Sequence, residues 1–238
     1  MKAAALFVLG ALLLAGCSSP PAPSAGNTTG GTTPSAGGAV NSASGTHLLM
    51  NTSLGDIRLL LYTNITTATS GSFVNLTKQG YFDGQRFHRV IGPKGQPPDG
   101  FMDQAGDPNS KDPAKQSQWG SGGPGYSLPD EFACKDGTVS STWTGAGRDP
   151  CKDHGGLRFL FDHAGIMAMA NTGSPNSGGS QFFLTLAPAS FLNGGYPVFG
   201  EVEGGLDVVK AIGNVETVGP PSDRPVKDVL INKVTVVS

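Results

Sequence analysis

Apolar and polar positions fall into short runs along most of the chain, and no sustained helical period emerges. Leu48-Leu49-Met50 and Asp56-Ile57-Arg58-Leu59-Leu60-Leu61-Tyr62 flank Ser53-Leu54-Gly55, which predicts two strands joined by a turn. Thr66 or Thr67 can cap a helix that buries Phe73 and Leu76, spaced i and i+3, and Gly80 ends it. Further strands are predicted over 86–91, 165–170, 180–186 and 197–202. A short helix with Val208, Val209 and Ile212 apolar covers 206–212, and an apolar-rich strand covers 226–237. Many short strands, two helices and frequent glycine turns predict an all-β dominated fold, a closed antiparallel barrel. Closure would leave no strand edge free for pairing with another chain.

The first residues follow a different rule. Lys2 precedes Ala3 to Gly16, all apolar or glycine, a charged start and an apolar run of secretory type that is too short to span a bilayer. The run closes on Leu14-Ala15-Gly16-Cys17, which resembles the bacterial lipobox, in which the cysteine is acylated and becomes the first mature residue. Two or three acyl chains on Cys17 would give stable anchoring. Residues 18–46 carry no charge and are mostly Ser, Thr, Gly, Pro and Ala. Such a segment cannot bury enough apolar surface to offset its ordering entropy, and as a flexible tether it reaches on the order of 30 Å. The expected organisation is a signal peptide over 1–16, a lipidated Cys17 with a tether over 17–46, and a folded domain over 47–238. The expected location is the cell envelope, with the protein membrane-anchored and facing the periplasm or exterior.

Composition narrows the function of that domain. The chain has 238 residues, 14% of them charged, with a net charge of −2, so phosphate-driven nucleic-acid binding is not expected. Its 36 glycines and 18 prolines are about twice the usual share and fit a turn-rich fold. No Gly-x-Ser-x-Gly elbow occurs, which argues against a hydrolase.

Chemistry is carried by specific strings in a fixed order. These are Phe87-His88-Arg89-Val90-Ile91, Gly100-Phe101-Met102-Asp103-Gln104-Ala105-Gly106-Asp107, Gly165-Ile166-Met167-Ala168-Met169-Ala170-Asn171, Asn176-Ser177-Gly178-Gly179-Ser180-Gln181-Phe182-Phe183-Leu184-Thr185, Leu192-Asn193-Gly194 and Val198-Phe199-Gly200. Together they resemble the cyclophilins, the family of peptidyl-prolyl cis-trans isomerases, from about Leu48 to Ser238. The resemblance implies an eight-stranded antiparallel barrel capped by two helices, and a monomer acting on X-Pro segments of polypeptides without metal or cofactor. It implies that Arg89 is the catalytic arginine, with its guanidinium at the prolyl nitrogen. Gln104 and Gln181 would position the backbone and Arg89. Phe101, Met102, Phe183 and Leu192 would wall the proline, while Ala170, Asn171 and Thr172 lie along the bound peptide. Strand parity supports this choice, since Gln181 and Phe183 share one face and Phe182 and Leu184 the other. His88, adjacent to Arg89, points away and is read as structural.

The chain also departs from the family pattern. Ala105 stands where glycine is usual, so the backbone there must avoid positive φ. Phe191 and Tyr196 replace the Trp and His of many eukaryotic members and are expected to contact substrate as aromatic walls. The 92–100 turn is longer than usual. About twenty-four residues, Ala133 to Gly156, intervene between Asp130-Glu131-Phe132 and Leu157-Arg158-Phe159, with Cys134 and Cys151 near their ends. In an oxidising compartment these two thiols are expected to form a disulfide. A metal site using His154 is the rival, but its spacing matches no strong pattern. An alternative to the enzyme is a proline-segment-binding or holdase module with little turnover, against which the retained Arg89 argues.

Overall fold

The computed structural model describes residues 45–92 and 100–237. The expected signal peptide, the lipidated Cys17, all but the end of the tether and most of the lengthened 92–100 turn lie outside the described residues. Among the described residues no helix is long and apolar enough to cross a membrane.

In chain order the elements are β1 (Thr46–Thr52), β2 (Gly55–Leu61), α1 (Thr67–Lys78), β3 (Arg89–Ile91), β4 (Met102–Ala105), β5 (Phe132–Ala133), β6 (Val139–Ser140), β7 (Ile166–Met169), β8 (Phe182–Thr185), β9 (Val198–Gly204), α2 (Leu206–Gly213) and β10 (Ile231–Val237). β1 and β2 form the predicted hairpin, with Leu48 opposite Leu59 and Met50 opposite Ile57, all buried. α1 begins where expected but is capped differently. The Thr66 side chain makes no cap bond, and the Glu131 carboxylate instead accepts from Ala68 N at 3.1 Å and Thr69 N at 2.7 Å. A carboxylate there satisfies free N–H groups and complements the positive end of the helix dipole.

Eight strands make one antiparallel sheet in the order β10-β1-β2-β9-β7-β8-β4-β3, while β5 and β6 form a separate ribbon. The large sheet is an open, strongly curled half-barrel, not the closed barrel that the strand pattern predicts. Its end strands do not pair. The strand predicted over 86–91 is regular only from Arg89, and that predicted over 226–237 only from Ile231. Between them sits a single Arg86↔Leu230 bridge, with Phe87 N donating to Val229 O and Ile231 N to Gln85 O. Beyond that bridge β3 turns to another partner, as Val90 N donates to Asp223 O at 2.8 Å. Asp223 belongs to a hairpin held by Val218 N to Arg224 O and Val226 N to Glu216 O. Pro220, Pro221 and Pro225 lack the N–H that a continuous ladder needs, so this stretch covers the β3 edge without joining the sheet.

The pleat sorts side chains to two faces. Phe182 and Leu184 join Leu48, Met50, Phe73, Phe82, Phe199 and Ile212 in the main core beneath the helices. Phe183 joins Tyr62, Met102, Phe161, Ala168, Leu192 and Val198 in a second cluster. Ala105 is a buried strand residue without positive φ, and the reversal falls on Gly106 at φ +97°. There a Cβ would sit 2.1 Å from Ser180 O, so only glycine fits.

Candidate active site

The second cluster brings together most of the residues expected to wall a proline. Met102, Phe183 and Leu192 are buried in it, with Phe101, Ala170 and Tyr196 packed half-buried against it. The Phe183 ring stacks on Phe161 at 5.9 Å and meets Tyr196 edge-on at 5.5 Å. Phe191 stands at the margin. It is 46% exposed and touches Phe101 edge-on at 5.3 Å. Thr172 is exposed and lies outside the apolar cluster, lining a neighbouring cleft instead.

Register places the polar rim. Arg89 on β3 faces Gln104 on β4, and Gln104 faces Phe183 on β8, so cation, amide and aromatic wall stand in one row. Gln104 Nε2 donates to Gln181 Oε1 at 2.9 Å, and Gln181 Nε2 donates to both Gly120 O and Gly122 O at 2.9 Å. Gln181 therefore clamps the 120–122 loop to the rim. The same loop is fixed from below by buried Asp107, whose carboxylate accepts from Gly120 N. Beside the apolar wall opens a cleft of about 520 Å³, lined in part by Gln104, Gly122, Tyr126, Ala170, Asn171 and Gln181. The cleft adjoins the wall, as a site for an extended peptide with one buried ring requires.

Arg89 is half-exposed, and its Nε lies 3.5 Å from Asp223 Oδ2. The two glutamines expected to position Arg89 bond to each other and to the 120–122 loop. The ion-pair partner is Asp223, which no local pattern signals, because the 216–226 hairpin meets β3 only in the folded chain. His88 is buried but does not point away from the site: it lines a small cleft together with Arg89, Gln104, Trp119 and Gly120. Burial holds its imidazole down at about 4, with the Arg89 charge acting in the same direction and Asp107 against it.

Asn171 is held by its side chain. Its Nδ2 donates to Gly195 O at 2.7 Å, and its Oδ1 accepts from Gly173 N at 3.0 Å. Cys134 and Cys151 form a disulfide, with Cα atoms 5.4 Å apart, in a small cluster with Phe132, Leu157 and Trp143. His154 Nδ1 is hydrogen-bonded to Asp136 Oδ2 at 2.8 Å. Among the described residues no group of three His, Cys, Asp or Glu side chains could hold a metal ion.

Comparison with known proteins agrees with this architecture. Residues 47–236 match the family model "Cyclophilin type peptidyl-prolyl cis-trans isomerase/CLD". The chain is 36% identical over 192 residues to a peptidyl-prolyl cis-trans isomerase-like 1 of Gibberella zeae, covering 81% of this chain and 95% of that protein. It is 38% identical over 184 residues to a peptidyl-prolyl cis-trans isomerase of Schizosaccharomyces pombe, covering 77% of this chain and 94% of that one. A cyclophilin-type isomerase crystal structure from Cryptosporidium parvum shares the fold with a TM-score of 0.59 at 24% identity, over 81% of this chain and 98% of that chain. The chain belongs to the cyclophilin family and is a peptidyl-prolyl cis-trans isomerase whose substrates are proline-containing polypeptides.

Proposed function

We propose that this isomerase works as a monomer from a membrane tether, turning over X-Pro bonds in envelope or secreted proteins, with Arg89 as its catalytic residue. An X-Pro bond isomerises over a barrier of about 18–20 kcal/mol, set by the double-bond character of C–N. The reaction needs no nucleophile and no electron transfer. A catalyst must seat the proline ring, hold the flanking chain and favour a twisted amide whose nitrogen has become pyramidal. A cation or donor near that nitrogen prefers the twisted state, and each ~1.4 kcal/mol of such preference is tenfold in rate.

The observation that carries the assignment is the Arg89–Gln104–Phe183 row. A guanidinium stands across two strands from the floor of an apolar wall, close enough in register for one X-Pro unit to touch both. Phe101, Met102, Leu192 and Tyr196 would enclose the ring, with Phe191 at its mouth. Gln104 and Gln181 would hold the rim, while Ala170, Asn171 and Thr172 would run beside the peptide. The guanidinium is always charged and presents its donors in a rigid plane, which suits electrostatic preorganisation. Coverage of the β3 edge by the chain's own hairpin supports a monomer.

The tether rests on Leu14-Ala15-Gly16-Cys17 and the uncharged stretch behind it. The relatives above are eukaryotic, and their names say nothing of an anchor. Intact-mass analysis of the mature chain tests this part directly. An N-terminus at Cys17 bearing acyl chains is expected, and a mature chain that starts elsewhere without an acyl adduct overturns it.

A further inference from the structure

The 133–156 insertion does not hang free of the site. Trp143 Nε1 donates to Gly195 O at 3.0 Å, and this is the same carbonyl that receives Asn171 Nδ2 at 2.7 Å. A carbonyl oxygen has two lone pairs, so Gly195 O joins the insertion and Asn171 through one atom. The backbones also meet. Gly147 N donates to Asn193 O at 2.7 Å. A Cβ on Gly194 would sit 1.7 Å from Arg148 O, and one on Gly195 would sit 2.9 Å from Ala146 Cα, so this approach requires glycine at both positions. The strap pressed by the insertion carries Leu192 at one end and Tyr196 at the other, and the Tyr196 ring meets Phe183. At its base the insertion is fixed by the buried Cys134–Cys151 disulfide, in the cluster that Trp143 packs against.

We propose that Trp143, held by the disulfide-closed insertion, is a positioning residue for the peptide-binding edge: by fixing Gly195 O it sets the Asn171 side chain and the Leu192–Tyr196 wall for substrate. This rests on the reading of Asn171 as a peptide-contacting residue. Asn171 has one amide group, whose two ends are taken by Gly195 and Gly173. If Gly195 O moves, the Asn171 side chain moves with it, and the adjoining backbone keeps only Ala170 N on Gln181 O at 2.9 Å, Thr172 N on Ser177 Oγ at 3.1 Å and the local Gly173 bond. The effect falls on substrate capture, because Arg89 and Gln104 are carried by β3 and β4 and not by the strap that the insertion presses.

The test is steady-state and NMR exchange kinetics of an X-Pro peptide on the full chain with its disulfide intact. Trp143→Phe keeps an aromatic ring at this half-buried position and removes the N–H. It should raise KM roughly three- to tenfold and leave kcat within about twofold. It should also shift the Asn171 side-chain amide resonances. Val139→Ala, at an exposed position of the same insertion, should change none of these. Asn171→Ala should raise KM by itself, and adding Trp143→Phe to it should raise KM little further, because the two act through one carbonyl. A Trp143→Phe protein that melts earlier but keeps the wild-type KM and the Asn171 amide shifts overturns the proposal while leaving the reading of Asn171 intact. An Asn171→Ala protein with unchanged KM overturns that reading and the proposal together. Should Trp143→Phe fail to fold, the paired Cys134→Ser and Cys151→Ser variant carries the test. It leaves Trp143 in place and frees the base of the insertion, so a raised KM supports the proposal and an unchanged KM overturns it.

Discussion

The two sides of the site are held by different means. Arg89, Met102, Gln104, Gln181 and Phe183 lie on β3, β4 and β8 or at their ends, so pleat and register fix which face each takes. Leu192, Asn193, Gly194 and Gly195 belong to a short helical turn and a loop, and their placement depends on groups far away in the chain. A strand side chain is positioned by its own backbone ladder, whereas a loop carbonyl stays where its partners keep it. The strand-borne side should therefore govern turnover, and the loop-borne side should govern capture.

The largest expected effect is at Arg89. Arg89→Ala should lower turnover by one to three decades, about 1.4–4 kcal/mol of transition-state stabilisation, while peptide binding weakens modestly. Arg89→Lys should not restore full activity, since an ammonium lacks the planar fork. NMR exchange of an X-Pro peptide reports binding and isomerisation on one sample. A folded Arg89→Ala protein with wild-type exchange would break the comparison outright.

Phe183 sharpens the comparison, because it belongs to both halves. It sits on β8 yet packs against Tyr196 of the loop side. Phe183→Ala should destabilise the domain by on the order of 3 kcal/mol and weaken both binding and turnover. Urea melts alongside the exchange experiment would separate the two losses. Equal kcat with raised KM would instead assign Phe183 to capture alone.

The disulfide comes next. Reduction should lower stability by roughly 3 kcal/mol, from the entropy of reopening a loop of this length. It should lower the melting temperature more than it lowers kcat. Calorimetry with and without a dithiol checks this, and an unchanged melting temperature would show that the insertion is held by packing alone.

The smallest effects are pH-linked and lie on the strand side. Asp103 is fully buried between Val90 and Leu184, with neither carboxylate oxygen partnered, and burial raises its pKa well above the usual 3.8. The native state therefore holds a proton that the unfolded chain releases above pH 3.8, so stability falls as pH rises from there through the folded pKa. His88 acts in the opposite sense. Its folded value near 4 lies below the unfolded 6.5, so stability is lost as pH falls from 6.5 toward 4. Where the two pH windows overlap, the effects oppose each other. Asp103→Asn should flatten the decline in urea-melt stability that accompanies rising pH above 3.8, and a decline that persists unchanged in that variant would assign it to another group.

Much of the strand side was legible in the sequence. The β1–β2 hairpin follows from the apolar runs on either side of Ser53-Leu54-Gly55, and the split of Phe183 from Phe182 and Leu184 follows from a period of two. Helix α1 was placed correctly but capped wrongly, because Glu131 approaches from 62 residues away. The β5–β6 ribbon was not predicted, since two-residue strands leave no periodic trace. The strand pattern predicts a closed barrel because a series of short apolar-rich strands is compatible with either a closed or an open sheet. The proline-rich 220–225 stretch is where the two differ.

The sequence by itself determined the family, the faces of the strands and the identity of the groups that can act on a prolyl bond, because these depend on local alternation and on residue type. Only the tertiary structure decided that the sheet stays open, that Asp223 pairs with Arg89, and that Trp143 and Asn171 meet on one carbonyl. Each of these joins residues distant in the chain, and the partner chosen is the one that satisfies a polar group once the backbone has closed around it.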